Sequence, residues 1–161
     1  MLRTIALTLL VGVLGAGTPW QARSAGYDPK RDPAQDLEAA VKQAGRDNKR
    51  ILLVVGGEWC GWCHTLENYL KGNADVQAAW ASAFVAIKVN FSPENRNSAF
   101  LGRYPAIPGY PHIFVLEKTG ALLHSQNTAE LEQGSSYSKA AMTQFVEKWR
   151  SRESALVPPS R

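Results

Sequence analysis

The chain has 161 residues, 45% hydrophobic and 20% charged, which is enough for one domain with a sizeable core and too short for two. Its formal net charge is +4, with basic residues interspersed among acidic ones, so no basic stripe points to nucleic acid. The only two cysteines stand three positions apart, which excludes the dense disulfide framework of small secreted folds and points to chemistry instead.

Residues 1–24 read as a signal peptide for secretion across the inner membrane, outside the folded domain. Arg3 gives the positive start, residues 5–17 the apolar stretch, and Ala22-Arg23-Ser24 small residues for cleavage after Ser24 or Ala25. The stretch falls short of the ~20 residues of a spanning helix, so a cleaved leader is expected over an anchor. Losing Arg3 and Arg23 with it leaves a charge of +2. Residues 25–31 form an N-terminal arm, and order is expected to begin at Asp32.

Asp32 caps a helix with Pro33 at its first position, and Leu37, Ala40, Val41 and Ala44 recur at helical spacing up to about Asn48. Residues 51–55 are apolar without alternation, as in a central strand buried on both faces. A helix follows with Leu66, Tyr69 and Leu70 on one side, and Asn73 restarts a second piece with Val76, Ala79 and Trp80. Residues 84–91 form the next strand, interrupted by Lys88. A polar stretch then leads to a short helix around Phe100 and a proline cluster at 104–111. Residues 113–116 and 121–125 pair as a hairpin through Lys118-Thr119-Gly120. The polar connection 127–137 is either a recognition loop or a plain surface loop. Ser138 caps the last helix, with Ala141, Met142, Phe145, Val146 and Trp149 inward, and residues 153–161 are expected to be a disordered tail.

Cys60-Gly61-Trp62-Cys63, between Trp59 and His64, falls where the first strand turns into a helix. A helix starting there presents backbone N–H groups and its positive dipole end to Cys60, which favours thiolate over thiol. Cys63 lies one turn on, on the same face, as suits a nucleophile and a partner able to close a disulfide with it. His64 on the first turn adds a cation when protonated, and Trp59 and Trp62 frame the site.

The element order over residues 32–152, with Trp59-Cys60-Gly61-Trp62-Cys63 and Gly109-Tyr110-Pro111 ahead of a strand, resembles the thioredoxin superfamily, in particular its exported thiol-disulfide oxidoreductases. The resemblance implies an α/β thioredoxin-like fold, a single domain with a central mixed β-sheet flanked by helices. It implies that Cys60 is the exposed attacking thiolate and Cys63 the buried thiol that releases the client. Pro111 would hold a cis bond and leave the Tyr110 backbone to pair with a client strand. Gly61 and Trp62 would tune the reduction potential. The buried acid that thioredoxins carry six places ahead of the first cysteine is replaced here by Val54, whereas the accompanying lysine has a match in Lys88. Lys88 is therefore expected to reach toward the site and find Glu58 or water. The resemblance further implies a periplasmic protein, monomeric, acting more as a reductase on cysteine-containing client proteins. A membrane thiol-electron transporter would be its reductant, and the redox-active Cys60–Cys63 disulfide its sole active group, with no added cofactor.

Two other readings compete. Cys60-Gly61-Trp62-Cys63-His64 fits the C-x-x-C-H attachment signature of a c-type haem protein, with His64 as axial ligand. Met142, the only methionine outside the leader, sits at core spacing and not where a second ligand is needed. A metal- or client-binding thioredoxin-like module would use Cys60, Cys63 and His64, with His112 the one candidate near the proline loop for a fourth ligand. No metal site is expected.

Overall fold

The structure, a computed structural model, describes residues 26–152. The expected leader, its cleavage site and the tail from residue 153 lie outside the described residues.

Asp32 accepts a hydrogen bond from the Ala34 N–H and starts α1 (Pro33–Asp47), which ends where Asn48 takes a left-handed φ of 54°. β1 (Arg50–Gly56) follows, then α2 (Gly61–Gly72), α3 (Ala74–Ala83) and β2 (Phe84–Asn90). α4 (Ser98–Leu101) is a single turn, and β3 (His112–Leu116) and β4 (Leu122–Asn127) make the hairpin. The chain then forms a short 3₁₀ turn (Thr128–Leu131), a second small sheet of β5 (Glu132–Gln133) and β6 (Ser136–Tyr137), and α5 (Lys139–Trp149).

The main sheet runs β2-β1-β3-β4. β1 pairs parallel with β2 and antiparallel with β3, and β3 pairs antiparallel with β4, so the sheet is mixed. With β1 inside, Leu53 and Val55 pack with Ala40 and Ala44 of α1 and with Phe114 on one face. Leu52 and Val54 pack with Leu66, Trp80 and Phe145 of the other three long helices on the opposite face. Both faces of β1 are thus covered, which accounts for its unbroken apolar run. Trp80, 2% exposed, stacks on Phe145 at 5.7 Å and meets Phe84 edge-on, and truncation of such a side chain costs about 3–5 kcal/mol.

Two segments are more ordered than their composition suggests. The arm is folded against the domain from Gly26, and Tyr27 is 2% exposed. Its turn needs a glycine: Gly26 has φ +59°, and a Cβ there would stand 2.7 Å from Glu58 Oε1. The connection 127–137 is likewise not a loose loop. Its small sheet lays Tyr137, 4% exposed, against Trp62 and Tyr69 of α2, each at 5.8 Å.

Candidate active site

Cys60 is the N-cap of α2, with extended backbone (φ −94°, ψ 105°), and its Sγ accepts the Cys63 N–H at 3.2 Å. One first-turn amide, that of Cys63, is thus directed at the sulfur of Cys60. The cysteines are joined in a disulfide, with Cα atoms 5.2 Å apart. Neither is open in this state: Cys60 is 4% exposed and Cys63 fully buried. The expectation of an exposed Cys60 is therefore corrected, because Tyr27, Trp62 and Tyr110 pack around the pair. Gly56, at the end of β1, is required by the same crowding, since a Cβ there would collide with Cys63 Sγ and lie 3.0 Å from the Tyr27 ring tip.

On the outer side the site is aromatic. Trp59 is 55% exposed, and its indole N–H donates to the Phe91 carbonyl at 2.7 Å. It meets Tyr110 edge-on at 5.5 Å, and Tyr110 in turn stacks on Phe91 at 5.0 Å. The Tyr110–Pro111 peptide bond is cis. The ladder between β1 and β3 begins one residue later, at His112 opposite Val55, which sets the proline loop beside the end of β1 and leaves Tyr110 outside the ladder. The Thr128 hydroxyl donates to the Pro111 carbonyl at 2.5 Å and braces this loop from the far end of the hairpin.

On the inner side a largely buried ion pair lies among apolar side chains. Lys88 stands beside Val54 in the β1–β2 register, and its ammonium pairs with Glu67 Oε1. The side chain of Lys88 is 9% exposed, so it does not snorkel to solvent. Its acceptor is Glu67, which corrects the expectation of Glu58 or water. Glu58 is engaged elsewhere, receiving the Tyr27 N–H at 2.5 Å. Glu67 follows Cys63 by four residues and so shares its face of α2, the face turned toward Val54. An acid thus stands beside Lys88 from the helix, where position 54 of the neighbouring strand holds valine. Tyr27 lies over Lys88, with the ammonium 5.1 Å from the ring centroid. A cavity of about 20 Å³, the room of one water, is lined by Tyr27, Val54, Cys63, Glu67 and Lys88 among others. Burial pushes the Tyr27 hydroxyl far above the usual phenol range, and the negative charges of Glu67 and Glu58 push it the same way. It is a neutral group at any physiological pH.

The remaining candidates divide. His64 Nε2 lies 2.8 Å from the Glu58 carbonyl and 3.8 Å from its carboxylate. Gly61 opens α2, and a Cβ there would meet nothing within 4 Å, so no close approach demands glycine. Trp62 is half-buried under Tyr137, whereas Trp59 is exposed. His112 is buried, with Nε2 2.8 Å from Ser125 Oγ, and does not reach the cysteines as a ligand. Among the described residues no group of three or more His, Cys, Asp or Glu side chains is arranged to hold a metal ion. Both sulfurs are joined in the disulfide, the geometry of a dithiol–disulfide couple. Glu67 and Tyr27 escaped the sequence reading. The four-residue spacing from Cys63 to Glu67 was available as a signal, whereas nothing in the polar arm marks Tyr27.

Residues 32–118 match a family model described as thioredoxin-like. A disulphide isomerase from Xylella fastidiosa Temecula1 superposes with a TM-score of 0.65 at 27% identity, covering 76% of this chain and 94% of that one. The oxidised C-terminal domain of DsbD from Neisseria meningitidis shares the fold with a TM-score of 0.51 at 20% identity, over 74% of this chain and 97% of that domain. By sequence, the thiol:disulfide interchange protein DsbD of Colwellia psychrerythraea is 27% identical over 103 residues, which is 63% of this chain and 17% of that protein. The chain thus spans about a sixth of the length of that curated relative.

Proposed function

The chain belongs to the thioredoxin-like family and is a thiol-disulfide oxidoreductase, and from that premise we propose that it is an exported reductase of disulfides in client proteins. The observation that carries this reading is the position of Cys60 as the N-cap of α2, its sulfur accepting the Cys63 N–H, bonded to Cys63 and packed against Tyr110 of the cis-proline loop.

In the reducing direction Cys60 thiolate attacks one sulfur of a client disulfide. The client S–S bond breaks, and its other sulfur leaves as a thiolate that takes a proton from solvent. Cys63 then gives its proton to Glu67 and attacks Cys60 Sγ, and the second client sulfur leaves. Two electrons pass to the client and the Cys60–Cys63 bond forms. Lys88 holds Glu67 in place as acceptor for that proton. The Tyr110 backbone, outside the ladder, offers a client strand its pairing edge, and Trp59 offers apolar contact. Before Cys60 is reachable the aromatic cover must shift, as it is 4% exposed in the disulfide state.

Export rests on the leader read in residues 1–24, and requires electrons delivered across the membrane. The likeness to DsbD, a thiol:disulfide interchange protein, supports a membrane thiol-electron transporter as donor. The likeness to a disulphide isomerase favours a second reading, in which the same dithiol reshuffles client disulfides. Equilibration of the pair against glutathione separates them, together with turnover on insulin and on scrambled ribonuclease. A reductase reduces insulin at catalytic concentration and leaves scrambled ribonuclease without regained activity. Inertness toward both substrates refutes the proposal.

A further inference from the structure

The arm does more than lead into α1. Tyr27 is the one buried side chain among residues 26–31. It is fixed by three contacts: its N–H on Glu58 at 2.5 Å, its ring over Lys88, and its ring tip above Gly56 beside Cys63 Sγ. The arm is tied again further along, where Asn95 Nδ2 donates to the Pro29 carbonyl at 2.8 Å. Resting on the function proposed above, we infer that Tyr27 is a positioning residue of the second exchange step: its ring closes the chamber in which Cys63 passes its proton to Glu67.

The physical argument concerns what surrounds that proton. The charged and titratable groups facing the chamber are Glu67 on α2, Lys88 on β2 and Tyr27 itself, with Glu58 of the redox loop and Tyr137 of β6 farther out. Glu67 has a competing cation at its outer edge, Lys71 Nζ at 3.7 Å on an exposed side chain. With the ring in place Lys88 is kept dry and holds the carboxylate inward, so a local base takes the thiol proton without hydroxide. Without the ring, water fills the space, the Glu67–Lys88 pair weakens by solvation, and the carboxylate turns toward Lys71. Cys63 must then ionise to solvent like an ordinary thiol, with a pKa of ~8.5.

The test follows the lifetime of the mixed disulfide when fully reduced protein meets glutathione disulfide, by acid quench and mass spectrometry between pH 6 and 8. The wild type is expected to resolve the adduct at a rate nearly independent of pH. Tyr27→Ala should resolve it about tenfold or more slowly at pH 6 and gain close to tenfold per pH unit, as thiolate fraction dictates. Tyr27→Phe, which keeps the ring, should restore the flat profile. Formation of the adduct at Cys60 should not slow in either variant, a split that a merely structural role would not give. A wild-type profile in Tyr27→Ala overturns the inference, and so does a Phe variant that behaves like Ala. Should Tyr27→Ala fail to fold, Glu58→Ala, which releases the arm's N–H anchor, is expected to show the same slope, and its absence is equally fatal. A separate readout needs no exchange activity: in a Cys60→Ser background, iodoacetamide should label Cys63 at least tenfold faster once Tyr27 is alanine. Equal labelling refutes the seal, whereas a wild type unable to exchange with any disulfide refutes the function and leaves the labelling test standing.

Discussion

The two sides of the Cys60–Cys63 bond are built from opposite materials. Outward lie Trp59, Tyr110 and Phe91, rings held edge-to-face or stacked, with the indole 55% exposed and its N–H tied to a backbone carbonyl. Inward lie an acid, a lysine and a phenol around a cavity with room for one water. The outer side suits contact with many client sequences, since aromatic faces bind apolar chain with little geometric demand. The inner side suits the movement of one proton over a fixed path. On the proposed mechanism attack and release are managed by different sets of residues, and should fail independently.

The largest effect should come from Cys60 itself. Cys60→Ser is expected to abolish exchange with both glutathione disulfide and insulin, whereas Cys63→Ala should retain the first step and stall as a mixed disulfide, which non-reducing gels will display. Next come the inner residues. Glu67→Gln and Lys88→Met should each slow resolution of the mixed disulfide by about 10²-fold, the lower range for loss of a general base, while leaving Cys60 alkylation within about twofold. Quenched-flow mass spectrometry measures both steps, and a variant that slows them equally would erase the distinction between the two sides. Smaller still is Trp59→Ala, which should raise KM for a protein client about threefold to tenfold, as loss of one aromatic contact implies, with little change toward glutathione disulfide.

The smallest effect concerns His112, directly after the cis bond. Burial holds its imidazole below the usual histidine value, and nearby His124 acts in the same direction. The unfolded chain binds a proton near pH ~6.5 that the folded chain refuses, so this contribution to stability is fully present above that pH. It declines as pH falls from ~6.5 toward the folded value, by at most about 1.4 kcal/mol per unit. Urea midpoints at pH 7.5 and 5.5 should therefore fall further apart in the wild type than in His112→Gln.

Much of this was legible without coordinates. The unbroken apolar run of β1 announced a central strand, Asp32-Pro33 and Ser138 marked helix starts, and the two cysteines stood at the strand-to-helix junction. These features are local, because periodicity and caps act within a few residues. The inner half of the site was not legible for the opposite reason. Lys88 meets Glu67 across 21 positions and Tyr27 meets Glu58 across 31, so only the closed fold brings them together. The departure at Val54 did show that an acid was missing from its usual strand, and the helix face below Cys63 was the place to look for it. The connection 127–137 misled through its polarity: Tyr137 lies against α2 and Leu131 joins the same buried cluster, and two separated apolar residues in a polar run leave no periodic pattern.

The most direct test of the central claim is to mix reduced Cys63→Ala protein with a periplasmic extract or a defined disulfide client and map every covalent adduct by peptide mass spectrometry. The expected result is client sulfur bonded to Cys60, released by added dithiol. A folded variant that reduces no disulfide and carries no adduct at Cys60 would contradict the account.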